Sequence, residues 1–196
     1  LETNLINNNF CFLFAQNHHT AMKNVINVRK KLSTRTIFNL LGPLTNPANT
    51  KKQLLGVYSK DLVSMHCSCL KELGSERAFV VHGLDGLDEI SLSEKTYVNE
   101  LKDNKIIEYI FNPVDYGYEL INIEEIKGGN PEYNANCFKM MISGEYKSYQ
   151  KIVELNAGVA IYLSGLANNL NEGFTIANKV IDNGTTKNFL EKIINE

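Results

Sequence analysis

Residues 77–89 read RAFVVHGLDGLDE, and this stretch decides the fold class of the chain. The apolar run Ala78–Val81 predicts a short strand, and the glycine-containing loop Leu84–Glu89 follows it. A strand is also predicted at 54–58 and a helix at 61–73, so strands and helices alternate along this part of the chain. This alternation indicates the α/β class.

Helical patterns fill much of the remaining sequence. Residues 20–32 gather apolar side chains on one arc of a helical wheel. Asn130-Pro131 is typical of a helix start, with Asn as the cap and Pro at the first position. Residues 149–168 are apolar nearly all round and rich in Gly and Ala, which predicts a buried helix packed closely against its neighbours. Further elements are predicted at 96–111 (a hairpin turning at 103–104), 172–183 and 186–195 (two helices).

The composition is that of an ordinary globular protein. The chain has 196 residues, of which 43% are hydrophobic and 21% charged, and it shows no repeat or linker, so we expect a single domain over 1–196. The longest unbroken apolar run, Phe10–Ala15, is far too short for a membrane span. Four Cys without framework spacing predict a reducing, cytoplasmic compartment.

Charge is distributed unevenly along the chain. The formal net charge is −2, yet residues 3–60 contain no Asp or Glu and carry +8, which together with Glu2 leaves −9 for residues 61–196. A cationic segment joined to an acidic remainder suits an anionic ligand on one side and a cation on the other, or complementarity between the two parts. Charges scattered on solvated faces are the alternative.

The loop Leu84–Glu89 is the first candidate site. It places three carboxylates, Asp85, Asp88 and Glu89, within five residues, at the carboxyl end of a strand, where open α/β sheets bind ligands. Mg²⁺ is commonly held by one or two carboxylates together with substrate phosphates and water. A solvated acidic turn is the alternative interpretation.

Arg29 is the second candidate. On the helical wheel of residues 20–32 it falls inside the apolar arc, between Val25 and Met22. A guanidinium that always carries its charge needs an anionic partner in such a place. The partner is either a protein carboxylate, in a structural salt bridge, or an anion of the ligand.

Several longer motifs together resemble one enzyme family. Residues 35–47, RTIFNLLGPLTNP, are similar to the signature of anthranilate phosphoribosyltransferases, and further motifs occur in the same order as in that family. They are Phe14-Ala15, His18-His19, Val28-Arg29, residues 73–78 (LGSERA), His82-Gly83, residues 85–91 (DGLDEIS), Gly128-Gly129 and residues 155–157 (LNA).

The resemblance implies a fold, an activity and a set of site residues. The fold would have helices layered around a central mixed, mainly parallel sheet, as in nucleoside phosphorylases and phosphoribosyltransferases. The reaction would transfer the phosphoribosyl group of phosphoribosyl pyrophosphate to the amine of anthranilate, in tryptophan biosynthesis, with Mg²⁺ as cofactor. By the same resemblance, Asp88 and Glu89 would bind Mg²⁺ and Arg29 would bind the carboxylate of anthranilate. Residues that would line the channel for the aromatic substrate are Ala15, Met22 and Pro43.

The resemblance also predicts what the chain represents. The family's N-terminal helical domain, its Gly-Thr-Gly-Gly-Asp pyrophosphate loop and its Lys-His-Gly-Asn segment do not occur in this sequence. We therefore expect the C-terminal portion of a glycosyltransferase catalytic domain, inactive alone, from an enzyme that forms a homodimer and binds neither membrane nor nucleic acid. Two other functions are alternatives. One is a non-catalytic relative that binds nucleic acid, which the charge of +8 on residues 3–60 permits. The other is a pyrimidine nucleoside phosphorylase, but the phosphate-site motifs of that family are not present.

Overall fold

The computed structural model describes residues 2–13 and 36–195, which form two compact units, one up to Thr50 and one from Lys51 onward. In the first unit, helix α1 spans Glu2–Asn8 and helix α2 spans Ile37–Leu41, followed by a 3-10 turn at Gly42–Leu44. The helix predicted at 20–32 lies outside the described residues. No helix in the described ranges combines the length and the apolar character that a membrane crossing requires.

The second unit is built on a four-stranded sheet in the order β1-β2-β3-β4. Strand β1 (Lys52–Gly56) runs parallel to β2 (Arg77–Gly83), and helix α3 (Asp61–Glu72) connects them. Strands β3 (Thr96–Lys102) and β4 (Lys105–Phe111) are added antiparallel. The two residues between β3 and β4 both have positive φ, 50° at Asp103 and 58° at Asn104, as a tight hairpin turn requires.

The α/β class, the layered helices and the mixed sheet agree with the expectation, but the expected mainly parallel pairing does not hold for the described strands. One of the three strand pairings is parallel and two are antiparallel. Parallel neighbours need a long crossover, which α3 supplies between β1 and β2. The connection 84–95 contains no helix, and a two-residue turn joins β3 to β4, so both return the chain in the opposite direction.

Both faces of the sheet are covered. Helix α5 (Lys147–Ser164) contributes Leu155 and Val159 to a cluster with Phe79 and Val81 of β2. Side chains alternate along a strand, so Ala78 and Val80 point to the opposite face, where α3 packs against β2 and β3 and buries Val63, Cys67 and Leu70. Residues 78–81 are fully buried as a result, which explains why that strand is apolar without interruption.

Three more helices complete the second unit: α4 (Pro131–Ile142), α6 (Leu170–Asp182) and α7 (Thr185–Asn195). Asn130 caps α4 by accepting a hydrogen bond from the Tyr133 N–H at 2.8 Å, which confirms the predicted start. Helices α5 and α6 pack at two glycines, because a Cβ on Gly173 would lie 2.3 Å from the Gly158 carbonyl oxygen. The close packing predicted for residues 149–168 is therefore confirmed.

Candidate functional site

The loop Leu84–Glu89, called the acidic loop below, begins where β2 ends. Because β1 and β2 are parallel, their carboxyl ends meet at one edge of the sheet. The chain leaves β1 at Val57, whose N–H donates to the Val81 carbonyl at 3.0 Å. The His82 Nδ1 lies 2.8 Å from the Val57 carbonyl oxygen and donates to it. These bonds join the two strand ends directly beneath the acidic loop.

Asp85 holds the acidic loop to the segment that follows it. Its carboxylate accepts hydrogen bonds from the Ser91 and Ser93 hydroxyls and from the Leu87 N–H. Ser91 is fully buried, and its own N–H donates to the Thr96 hydroxyl at 2.9 Å. Burial alone would raise the pKa of Asp85, but these hydrogen bonds to the ionised form outweigh it and hold the pKa below its ordinary value. Asp85 is therefore a structural carboxylate.

Asp88 and Glu89 behave differently. Both are exposed, and within the described ranges neither accepts a hydrogen bond nor forms an ion pair. The pKa of Glu89 lies above its ordinary value, first because neighbouring atoms remove part of its hydration and second because Asp88 carries a like charge. Although Glu89 is exposed by surface area, it lies at the wall of a pocket, which accounts for the lost hydration.

Asp88 and Glu89 could supply two carboxylate ligands to a cation such as Mg²⁺. The described residues contain no group of three or more His, Cys, Asp or Glu able to hold a metal ion by themselves. Two adjacent unpartnered carboxylates that repel each other would instead be neutralised by a cation whose remaining ligands are water and phosphate. Such a cation would take its remaining ligands from an anionic ligand and water, because the described residues near the pair supply no third carboxylate for it.

Gly56, the last residue of β1, lies directly against the backbone of the acidic loop. A Cβ on Gly56 would lie 1.5 Å from the carbonyl oxygen of Asp88 and 2.5 Å from its carbonyl carbon. Any larger residue at the end of β1 would displace the backbone of Asp88. Here glycine is required because another part of the chain approaches its Cα closely.

Asn156, on helix α5, holds the residue after Glu89. Its Oδ1 accepts a hydrogen bond from the Ile90 N–H at 3.0 Å, and its Nδ2 donates to the Ile90 carbonyl at 2.9 Å. The second hydrogen on Nδ2 is donated to the Ile152 carbonyl at 3.0 Å, one turn earlier in α5. The side chain of Ile90 is itself buried in the core.

A pocket of about 270 Å³ opens beside Glu89. Its wall includes Tyr149 and Ile152 from α5 and, from the connection before α4, Gly128. The adjacent Gly129 is fixed by Asn134, whose Oδ1 accepts from the Gly129 N–H at 2.7 Å and whose Nδ2 donates to the Gly129 carbonyl at 3.1 Å. The structure therefore brings the Gly-Gly motif to the same pocket as Glu89.

A cavity of about 620 Å³ elsewhere in the second unit contains another carboxylate, Glu154. Glu154 is 4% exposed, and its oxygens accept hydrogen bonds from Tyr118 at 2.9 Å, Lys151 at 3.0 Å and Asn178 at 2.9 Å. Lys151 neutralises the buried charge while Tyr118 and Asn178 add hydrogen bonds, so the Glu154 carboxylate is structural, in contrast to the exposed pair at the acidic loop.

The remaining predicted site residues belong to the first unit. Pro43 is the second residue of the 3-10 turn at Gly42–Leu44 and is half-buried. Arg29, Ala15 and Met22 lie outside the described residues, so their assignments stay predictions.

Residue-by-residue reading of the sequence missed the supports of the acidic loop. Gly56 ends a strand that was predicted, but nothing near it in sequence indicates the approach of Asp88. Asn156 belongs to the motif at 155–157, but its partner Ile90 is 66 positions away in the sequence. The one available signal was local: Ser91 and Ser93 follow Asp85 at a distance at which hydroxyls can return to a carboxylate.

Comparison with known proteins agrees with this architecture. Residues 1–187 match the model of the glycosyl transferase family, a/b domain. The chain is 48% identical over 186 residues to the anthranilate phosphoribosyltransferase of Methanobrevibacter smithii, covering 95% of this chain and 56% of that protein. The chain thus spans about half the length of the curated relatives it matches.

Solved structures give the same result. The anthranilate phosphoribosyltransferase of Thermus thermophilus superposes with a TM-score of 0.88 at 37% identity, over 97% of this chain and 56% of that one. The Saccharomyces cerevisiae enzyme superposes at 0.86 in complex with 4-fluoroanthranilate, at 30% identity over 98% of this chain and 57% of that one. In complex with phosphoribosyl pyrophosphate and Mg it superposes at 0.82, at 31% identity over 94% and 54%. These matches confirm the resemblance drawn from the motifs, and the chain belongs to the glycosyl transferase family with this α/β domain.

Proposed function

We propose that this protein takes part in the transfer of the phosphoribosyl group from phosphoribosyl pyrophosphate to the amine of anthranilate, in tryptophan biosynthesis. The observation that carries the proposal is the exposed pair Asp88 and Glu89, whose carboxylates have no partner among the described residues, on a loop held by contacts with Gly56, Asn156 and Ser91. The similarity to anthranilate phosphoribosyltransferases over nearly the whole chain supports it.

In this reaction the amine nitrogen forms a bond to C1 of the ribose while the C1–O bond to pyrophosphate breaks, and the amine loses one proton. The leaving group is a polyanion, and Mg²⁺ would stabilise the negative charge that grows on it. Asp88 and Glu89 would hold the cation from the protein side, with diphosphate oxygens and water as its other ligands. The neutral aryl amine needs only to be positioned next to the cation-like sugar carbon.

In this proposal, anthranilate is recognised by residues of the basic segment 3–60. Arg29, on the apolar arc of its predicted helix, would bind the carboxylate through two parallel N–H groups of its guanidinium, and this would also fix the orientation of the ring. Ala15, Met22 and Pro43 would line the channel through which the aromatic ring enters. The yeast relative solved with 4-fluoroanthranilate supports an aromatic carboxylate as the ligand.

The cofactor, the cellular compartment and the oligomeric state belong to the same proposal. The yeast relative solved with phosphoribosyl pyrophosphate and Mg supports Mg²⁺ as the cofactor. We further propose a cytoplasmic enzyme that acts as a homodimer, with residues 1–196 as one portion of its catalytic domain. The comparisons give no support to the nucleic-acid-binding alternative.

The test uses the complete gene product, anthranilate, phosphoribosyl pyrophosphate and Mg²⁺. We expect anthranilate to be consumed and pyrophosphate released in equal amounts, and both to stop when Mg²⁺ is withheld. Aniline, which lacks the carboxylate, and benzoate, which lacks the amine, serve as controls, and neither should be turned over at a comparable rate. We expect the 196-residue chain alone not to convert anthranilate.

Two results would contradict the proposal. Failure of the complete gene product to consume anthranilate under these conditions would remove the assigned activity. Salt-dependent binding of DNA by the same preparation, without any transfer, would favour the nucleic-acid alternative instead.

A further inference from the structure

The Asn156 side chain is bonded to both sides of one residue in another part of the chain. It accepts from the Ile90 N–H at 3.0 Å and donates to the Ile90 carbonyl at 2.9 Å. Ile90 directly follows Glu89, so these two bonds fix the peptide bond that joins Glu89 to Ile90 as well as the one after it.

Asn156 is itself held in place. Its second amide hydrogen is donated to the Ile152 carbonyl at 3.0 Å, so the side chain is tied to the preceding turn of α5. Ile152 and Leu155 of that helix are buried in the same core cluster as Ile90. The position of α5 is therefore transmitted to the end of the acidic loop through one amide group.

The bonding pattern needs asparagine in particular. The amide uses one acceptor and both of its donor hydrogens, and no other side chain of this length offers both functions. Aspartate would keep the bond to the Ile90 N–H but would turn a second oxygen toward the Ile90 and Ile152 carbonyls. Leucine has a similar shape but would leave the Ile90 N–H and carbonyl without their partner.

We propose that Asn156 is a positioning residue for the Asp88–Glu89 pair, and that it sets the affinity of this pair for a divalent cation through the backbone of Ile90. The inference rests on the proposed function, which assigns the pair to the cation. Groups that orient metal ligands from outside the coordination sphere typically change metal affinity or activity by about 10- to 100-fold when they are removed.

The test compares Asn156→Leu and Asn156→Asp in the complete gene product. Mn²⁺ binding is measured by paramagnetic resonance with phosphoribosyl pyrophosphate present and anthranilate absent, so that no turnover occurs. We expect both variants to need about 10- to 100-fold more Mn²⁺ for half occupancy. Amide hydrogen exchange at residues 88–91, measured without metal, should become faster. The KM for anthranilate should change little.

Val159→Ala is the matched control. Val159 is fully buried on the same helix, three residues after Asn156, and its side chain has no group that could form a hydrogen bond to the acidic loop. It should lower the melting temperature while Mn²⁺ affinity and exchange at 88–91 stay as in the wild type. Should Asn156→Leu fail to fold, Asn156→Asp decides by the same measurements.

The possible outcomes separate the inference from the function on which it rests. If the Asn156 variants melt earlier but bind Mn²⁺ as the wild type does, Asn156 is merely structural and the inference is wrong. If the wild-type protein itself shows neither Mn²⁺ binding with phosphoribosyl pyrophosphate nor transfer, the proposed function is wrong.

Discussion

The Cα of Gly56 and the carbonyl oxygen of Asp88 are so close that a Cβ on the glycine would lie 1.5 Å from that oxygen. The two residues are 32 positions apart in sequence, and their contact joins the end of β1 to the candidate cation site. The contact is between backbone atoms, so a flexible side chain cannot relieve it. Three predictions follow from this and the neighbouring contacts, and a fourth follows from the place of Arg29 in the sequence.

Gly56→Ala should displace the backbone of Asp88 and weaken cation binding. Overpacking of this kind costs about 1–3 kcal/mol in the free energy of unfolding. We expect a lower melting temperature together with a higher Mg²⁺ concentration for half-maximal turnover. Val63→Ala is the control: Val63 is fully buried on α3, on the opposite face of the sheet from α5, so the substitution should lower the melting temperature but leave the Mg²⁺ requirement unchanged. Equal Mg²⁺ requirements in the two variants would contradict the prediction.

Asp88→Asn combined with Glu89→Gln should raise the Mg²⁺ requirement of the complete gene product. Removal of the proposed ligands should raise the Mg²⁺ concentration for half-maximal turnover at least as much as removal of a positioning residue does, that is, by roughly 10-fold or more. A Mg²⁺ titration of turnover at saturating substrates measures the effect. Glu94→Gln removes a nearby exposed negative charge without touching the pair, and it should leave the titration unchanged. An unaltered requirement in the double variant would return the acidic loop to the solvated-turn interpretation.

Asp85→Asn and Glu89→Gln should change stability in opposite directions. The pKa of Asp85 is lowered by its hydrogen bonds, so its ionised form stabilises the fold above the ordinary Asp pKa, and this contribution is lost as pH falls through the lowered value. The pKa of Glu89 is raised by desolvation and by Asp88, so its ionisation destabilises the fold as pH rises from the ordinary Glu pKa through the raised value.

At neutral pH without metal, Asp85→Asn should therefore lower the melting temperature. The expected decrease in the free energy of unfolding is about 1–2 kcal/mol, as for a half-buried carboxylate that accepts hydrogen bonds. Glu89→Gln should raise it slightly and flatten its dependence on mildly acidic pH. Melting curves of both variants at several pH values provide the check, and a decrease in both would show that Glu89 has a stabilising partner.

Arg29→Ala should raise the KM for anthranilate by roughly 10- to 100-fold, which corresponds to about 1.5–3 kcal/mol for a charged hydrogen bond. The KM for phosphoribosyl pyrophosphate should move much less. Lysine at this position should restore little, because it offers a point charge in place of a fork. A lower melting temperature with both KM values intact would instead identify Arg29 as half of a structural salt bridge.

Local patterns predicted the local structure well. The apolar run at 78–81 became the buried centre of β2, and Asn130-Pro131 became the start of α4. Asp103 and Asn104 formed the hairpin turn, because both tolerate positive φ. In each case the deciding interactions lie within a few residues of one another.

What the sequence did not reveal depends on contacts between distant residues. The direction of β3 and β4 follows from connections without a helix, and the apolar pattern of a strand does not encode its direction. Asp85, Asp88 and Glu89 looked alike as three neighbouring acids. Only their surroundings separate Asp85, which is held by two serines, from the pair that remains free within the described ranges.

The contacts that hold the acidic loop also bear on the repeated turnover that the proposed function requires. A loop that became ordered only around its cation would have to be rebuilt in every cycle, after pyrophosphate leaves with its counter-ion. Here the contacts made by Asp85, Gly56 and Asn156 come from the protein itself, so folding rather than the cation would restrict the backbone of the loop. In the proposed reaction, release of one product and entry of the next substrate would then require no refolding of the acidic loop.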